Sequence, residues 1–354
     1  MQGMRLSDLW NVLARNDFRV ERRYFDRLAY LIGIGMLNSV FGAVDSLLNA
    51  KRIAQIEIEP PPLFIIGHWR SGTTHLHNML SRDEQFTSPA AYQCVFPRHF
   101  LVTGWMRALF NFLTPAKRPQ DNVAFDAGVP HEDEFAVASY STVSPYMRVW
   151  FPISGDEPYS EIDPQKLPPE LLARWQQALS VFLKKVLVER NGRLLLKSPP
   201  HTARIGTLLK MFPGCQFVHI LRNPYKVYPS TLKLWRTALQ DSHLQTLKEG
   251  QLEEMTLAAY TALFDLYERD KHMIPEGALH EMKFEDLESQ PEETLRILYD
   301  RLRLPGFDLF RVKLRAYLQS IQGYEKNILH QDEISREIVR QRWGVNFERY
   351  GYPL

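Results

Sequence analysis

Between residues 60 and 290 the chain alternates short apolar runs with longer stretches of helical spacing. Leu63-Phe64-Ile65-Ile66 is a continuous apolar run and reads as a buried strand. The apolar positions that follow, Leu76, Met79 and Leu80, fall at helical spacing. Arg193-Leu-Leu-Leu-Lys197 reads as another strand. After it, Thr202 is placed to cap a helix whose apolar face includes Ile205, Leu208 and Leu209. Cys215-Gln-Phe-Val-His-Ile-Leu221 has the β-branched and aromatic content of a strand, and Pro224 suits the first turn of a helix through Leu232 and Trp235. Leu279–Leu287 reads as a strand and then a helix start, with Pro291 opening the next helix. Ser335 to Tyr350 reads as a last helix carrying an aromatic anchor of Trp343, Phe347 and Tyr350.

The N-terminal region has a different pattern. Leu28 to Leu48 is apolar apart from Asn38, Ser39, Asp45 and Ser46. Arg22, Arg23 and Arg27 precede it, and Lys51 and Arg52 follow. The stretch has the length of a membrane span. Asn38 and Asp45 would be costly in hydrocarbon, and three glycines weaken the helix. Three placements are open: packed on the catalytic domain, lying on an anionic membrane surface, or spanning. The expected division is an N-terminal helical segment, 1–58, and a catalytic domain, 59–354.

The turn after the first strand carries candidate chemistry. Gly67-His-Trp-Arg-Ser-Gly72-Thr-Thr74 has glycines at its first and sixth positions, between a strand and a helix. That is the context of a phosphate-binding loop, where backbone N–H groups and the helix N-terminus hold an anion. Thr73 stands where an NTP-binding loop needs Lys. The loop is therefore expected to hold a phosphate on a ligand other than ATP or GTP.

Arg70-Ser-Gly-Thr-Thr74 resembles the 5′-phosphosulfate loop of sulfotransferases, enzymes that use 3′-phosphoadenosine 5′-phosphosulfate (PAPS). The likeness is to the Golgi-type and bacterial branch, which has Arg where cytosolic enzymes have Lys. The resemblance implies an α/β fold: three-layer α/β/α, P-loop-like, with a central parallel sheet. It implies that Arg70, Ser71, Gly72, Thr73 and Thr74 bind the phosphosulfate, with Arg70 also stabilising the transferring group. Arg222 and, eight residues later, Ser230 correspond to the pair that grips the nucleotide 3′-phosphate. An Arg fork and a neutral hydroxyl donor suit that role. The string from Leu196 through Lys197-Ser-Pro to His201 resembles a bacterial subfamily, and the end of a strand is where α/β ligand sites form. Phe284-Glu-Asp-Leu287 with Pro291 is a family landmark and reads as structural, with acids in a helix first turn. Lys326, in Gly323–Asn327, corresponds loosely to a basic loop over the 3′-phosphate. The resemblance covers about residues 60 to 350.

The catalytic base is the point of departure from the family. Several branches place a Glu downstream of the loop, where this chain reads Pro89-Ala-Ala-Tyr-Gln-Cys94 with Gln93 and no carboxylate. The candidates pass to His131, Glu132 and Glu134, in a string similar to one of the bacterial subfamily. A Glu base should be partly desolvated to work at neutral pH, whereas His131 has a better unperturbed pKa.

Composition excludes several classes. The 354 residues suffice for a full core, and 45% hydrophobic content marks a globular chain. A net charge of +2 gives no case for a nucleic-acid partner. Two cysteines, one in an expected buried strand, argue against a disulfide-stapled design, and the 11 histidines show no zinc spacing, so no metal is expected. The sequence start has no signal-peptide pattern, so the expected location is cytoplasmic, with membrane association through residues 22–52 open. The expected activity is sulfuryl transfer from PAPS, released as 3′,5′-ADP, to a hydroxyl on a small molecule, lipid or carbohydrate. A P-loop nucleotide kinase and a catalytically inactive nucleotide-binding protein are the alternatives.

Overall fold

The computed structural model describes residues 2–117, 124–152, 162–323 and 332–354. It contains five strands: β1 (Leu63–Ile66), β2 (Phe86–Thr87), β3 (Arg193–Lys197), β4 (Gln216–Leu221) and β5 (Leu279–Lys283). They form one sheet in the order β2-β3-β1-β4-β5, and every pairing is parallel. β1 is central, with Leu63 opposite Leu195 on one side and Gln216 on the other. All four of its residues are fully buried, which is why it reads as an unbroken apolar run.

Alternation along the strands sends side chains to two faces. Leu63, Ile65, Leu195, Val218 and Ile220 share one core with Leu76, Met79 and Leu80 of the helix Thr73–Leu80. Leu295, Leu298 and Tyr299 of the helix Pro291–Leu302, and Phe310 and Leu314 of Phe307–Ser320, complete that side. Phe64 points the other way, stacked on Phe217 at 5.5 Å. On that face His219 lies 3.9 Å from Tyr267 of the helix Gln251–Asp270, ring centre to ring centre. Helices therefore cover both faces, and the fold is α/β with three layers around a parallel sheet.

Backbone contacts divide the chain into two compact units that cut it differently from a division at residue 58. One comprises Met1–Glu59, Ser88–Gly192 and Trp235–Glu249; the other, Pro60–Thr87, Arg193–Leu234 and Gly250–Leu354, holds the sheet. Within the first unit the helix Phe25–Ala54 turns its polar residues inward. Asn38 donates to the Met4 carbonyl at 2.8 Å and bonds to His99 at 2.9 Å. Asp45 pairs with Lys185 at 2.9 Å, both buried. Lys185 also donates to the Pro97 and Arg98 carbonyls at 2.9 and 2.8 Å.

One expected detail fails. Thr202 does not cap a helix: residues Pro199–Ala203 form a 3₁₀ turn, and the next helix, Ile205–Met211, starts after Arg204. Two consecutive prolines start the tighter turn and leave Thr202 inside it, short of the cap position at Arg204, where its hydroxyl takes another role.

Candidate active site

The loop after β1 is bent by two glycines that nothing else could replace. Gly67 has φ +142°, and a Cβ there would stand 2.5 Å from the Ile220 carbonyl oxygen. Gly72 has φ +101°, and its Cβ would stand 2.2 Å from the Phe284 ring. Between them Arg70 also takes a left-handed conformation, φ +66°, which costs a non-glycine residue energy and marks strain at a site. The loop is tied down at both ends. The Gly67 N–H donates to the Thr202 hydroxyl at 2.8 Å, and that hydroxyl donates to the Gly67 carbonyl at 3.2 Å. The Ser71 hydroxyl donates to the His68 carbonyl at 2.7 Å. His68 is fully buried beside Tyr260, and burial pushes its pKa down to about 4.

Gly72 stands at the N-cap of the helix Thr73–Leu80 and brings no side chain to its first N–H groups. The first amides of a helix lack intrahelical partners and carry the positive end of its dipole, so they suit an anion. Three cationic residues converge on this turn. Arg70 Nε donates to Ser230 Oγ at 2.9 Å. Arg222 Nη1 donates to the Arg70 carbonyl at 3.0 Å while its guanidinium lies 4.3 Å over the Phe284 ring. Lys197 Nζ donates to Thr74 Oγ1 at 3.2 Å, at the end of β3. Burial draws the Arg222 pKa below its ordinary value, against the pull of Glu288. Arg70 thus contacts both Ser230 and Arg222, and Lys197 contacts Thr74 at the far end of the same loop, which brings together three distant segments of the chain. Backbone donors, three cations and several hydroxyls form a donor set that fits a nucleotide with two separate anionic groups, as PAPS has.

His201 behaves differently from Lys197. Both are buried, but where Lys197 reaches Thr74 of the loop, His201 packs edge-on against Phe64 at 5.4 Å. Lys326 lies outside the described residues. Two further contributors carry no signal along the chain. Thr202 latches the loop. Phe284, in a string that reads as a structural landmark, backs Gly72 and carries Arg222 on its face. The spacing of neither residue holds that information, because each contact joins distant segments.

In the other unit, Glu132 occupies the N-cap of the helix Asp133–Ser141, so the acidic stretch does start a helix. Glu132 accepts a hydrogen bond from the hydroxyl of Tyr146, a residue that no local pattern singles out. The Glu132 N–H donates to His131 Nδ1 at 2.8 Å, and the His131 ring lies against Phe135 at 4.9 Å. Glu134 is fully buried and accepts from Ser144 Oγ at 2.7 Å. Gln93 serves the local structure. Its side-chain oxygen accepts from the Ala90 N–H at 2.8 Å, and its amide donates to Glu189 at 2.7 Å. Among the described residues no group of three or more His, Cys, Asp or Glu is placed to hold a metal ion.

Residues 61–308 match the model described as "Sulfotransferase family". Over 350 residues, 99% of this chain and 90% of the relative, the chain is 33% identical to proteins named omega-hydroxy-beta-dihydromenaquinone-9 sulfotransferase Stf3, from Mycobacterium bovis and Mycobacterium tuberculosis. Among solved structures it is similar to sulfotransferase STF9 of Mycobacterium avium, with a TM-score of 0.69 at 19% identity, over 93% of this chain and 87% of that one. Sulfotransferase STF1 of Mycobacterium tuberculosis H37Rv gives 0.65 at 15% identity, over 96% and 91%. At such identities the two structures speak for the fold alone.

Proposed function

Because the chain belongs to the sulfotransferase family, we propose that it moves a sulfuryl group from PAPS to a hydroxyl on a large apolar acceptor, leaving 3′,5′-ADP. The observation that carries the donor assignment is the contact chain from the loop through Arg70 to Ser230 and Arg222. It places a hydroxyl and a guanidinium beside the phosphate loop, as a ligand with a second phosphate requires. The acceptor class is carried over from the mycobacterial relatives, named for a hydroxylated dihydromenaquinone.

PAPS supplies an activated sulfuryl group on a phosphate leaving group. The residues then divide the work. The first amides of the helix Thr73–Leu80, with the hydroxyls of Thr73 and Thr74, bind and orient the phosphosulfate, and Ser71 holds the loop in shape through its bond to the His68 carbonyl. Arg70 and Lys197 bring positive charge to the oxygens where negative charge grows, and preorganised charge of this kind supplies most of the rate in such transfers. Arg222 and Ser230 hold the 3′-phosphate. Glu132 takes the acceptor proton, with Glu134 second and His131 third. Half-burial favours Glu132 over the fully buried Glu134, and the Tyr146 hydroxyl orients its carboxylate. Full burial counts against Glu134. The kinase alternative lacks support at Thr73, which is not Lys. The inactive alternative rests on Gln93, and the hydrogen bonds of Gln93 account for that residue without any loss of chemistry.

The test is calorimetry of 3′,5′-ADP against ATP without Mg²⁺, followed by label transfer from PAPS to a panel of hydroxylated lipids, sugars and phenols. Tight binding of 3′,5′-ADP and transfer to the lipid members are expected. Equal affinity for ATP and 3′,5′-ADP would sink the donor assignment, and transfer confined to sugars the acceptor class.

A further inference from the structure

The helix Phe25–Ala54 is amphipathic in the reverse of the usual sense. Its buried residues are Gly35, Asn38, Gly42 and Asp45, two without side chains and two polar. Its outer face carries Met36, Leu37, Val40, Val44, Leu47 and Leu48, between 40% and 84% exposed. A helix on a water-facing surface distributes these residue types the other way. Single exposed leucines are ordinary; a stripe along one face over about 18 Å is not.

The same unit exposes a second apolar element. Trp105, Phe112 and Leu113, in and after the turn Gly104–Met106, are 73%, 85% and 69% exposed. The two elements are tied together near His99, which bonds to Asn38 at 2.9 Å and lies 5.6 Å from the Phe41 ring. From His99 the chain reaches Trp105 in six residues. Basic residues stand at both ends of the stripe: Arg22, Arg23 and Arg27 before it, Lys51 and Arg52 after it. With Asp45 buried, Asp26 is the one exposed acid among the described residues between Arg22 and Arg52.

We propose that this face docks the protein on an anionic lipid bilayer. The stripe and Trp105 enter the boundary between head groups and acyl chains, and the basic ends meet anionic head groups. A two-fold dimer through the stripe fits less well. Run parallel or antiparallel, it would set one basic end against another. A span fits less well too. It would strip Asn38 and Asp45 of their partners and leave Lys185 buried without its counter-charge. The proposal stands on exposed side chains and not on the acceptor, so it can fail while the proposed function holds, and the reverse.

The test is flotation of the full chain with vesicles of phosphatidylcholine, with and without phosphatidylglycerol. Binding should need phosphatidylglycerol and weaken with salt. Leu47→Glu with Leu48→Glu should lower partitioning by about a hundredfold or more, and Trp105→Glu by about tenfold. Melting temperature and 3′,5′-ADP affinity should not change in either variant. No flotation of the wild type with anionic vesicles would overturn the proposal. Retention in the membrane through an alkaline carbonate wash would overturn it in favour of a span. A dimer that the leucine variants convert to monomer, without vesicle binding, would overturn it in favour of a second copy.

Discussion

Arg70 Nε donates to Ser230 Oγ at 2.9 Å, across 160 residues of sequence. One residue belongs to the loop that would hold the transferring group; the other sits on the helix Pro224–Ser242 beside Arg222, whose own guanidinium holds the Arg70 carbonyl. The two groups proposed to bind phosphates therefore share one hydrogen-bonded framework. Arg222→Ala should weaken 3′,5′-ADP binding by about tenfold to a hundredfold, and Ser230→Ala by about tenfold, as expected for charged and neutral phosphate contacts. Calorimetry reads both. Normal binding by Arg222→Ala would remove the 3′-phosphate from that residue.

Strain at Arg70 separates stability from turnover. Its left-handed backbone suits glycine, whereas alanine keeps the strain and loses the bond to Ser230. Arg70→Gly should therefore melt at or above the temperature of Arg70→Ala, by an amount worth about 1 kcal/mol. Both should lose turnover by about a hundredfold or more, and lose less affinity for 3′,5′-ADP, which lacks the transferring group. If either change altered only the Michaelis constant for PAPS, Arg70 would have no part in the transition state.

Much of the sheet was legible because a parallel strand covered on both faces reads as a near-continuous apolar run, as β1 does throughout and β4 does apart from Gln216 and His219. β2 was not, since a two-residue strand has no pattern to read. The loop was legible because Gly67 and Gly72 answer local demands of the backbone. What escaped was non-local: Thr202 under Gly67, Phe284 under Gly72, and Tyr146 on Glu132. Spacing along a chain carries no record of such contacts. The inward-facing Asn38 and Asp45 were visible as oddities in an apolar helix, but their partners, His99 and Lys185, lie far away in sequence.

The base can be tested by a nearly isosteric change. Glu132→Gln keeps the hydrogen bond with Tyr146 and removes the proton acceptor. Turnover should fall by about a hundredfold to ten-thousandfold, with 3′,5′-ADP affinity little changed. The pH–rate profile should also lose its acidic limb. Near wild-type turnover in Glu132→Gln, together with loss in His201→Ala, would move the base to the end of β3.

Two buried histidines should make the fold acid-sensitive. Burial pushes the pKa of His68 and of His99 down to about 4, from an ordinary value near 6.5. Each is neutral in the folded chain and protonates more readily when unfolded. Their contribution is therefore complete above about pH 6.5 and is lost as pH falls toward 4. Two protons correspond to a slope of about 3 kcal/mol per pH unit within that window. Urea midpoints measured from pH 7.5 down to 4.5 read it, and a flat profile would show that neither ring is held neutral.

The buried pair of Asp45 and Lys185 gives the N-terminal helix its clearest test. Burial pushes the Asp45 carboxyl up and the Lys185 ammonium down, and each charge is held against that pressure by the other at 2.9 Å. Removing one partner strands the other, so Asp45→Ala should cost about 3–5 kcal/mol in urea denaturation. Replacing both, Asp45→Leu with Lys185→Met, removes the desolvation penalty along with the attraction and should cost much less than the single change. Some loss should remain, because the Pro97 and Arg98 carbonyls would lose their donor. Additive costs in the double variant would mean that the two charges act independently. The inward face of the helix would then be held by the Asn38 bonds to Met4 and His99 and not by the ion pair.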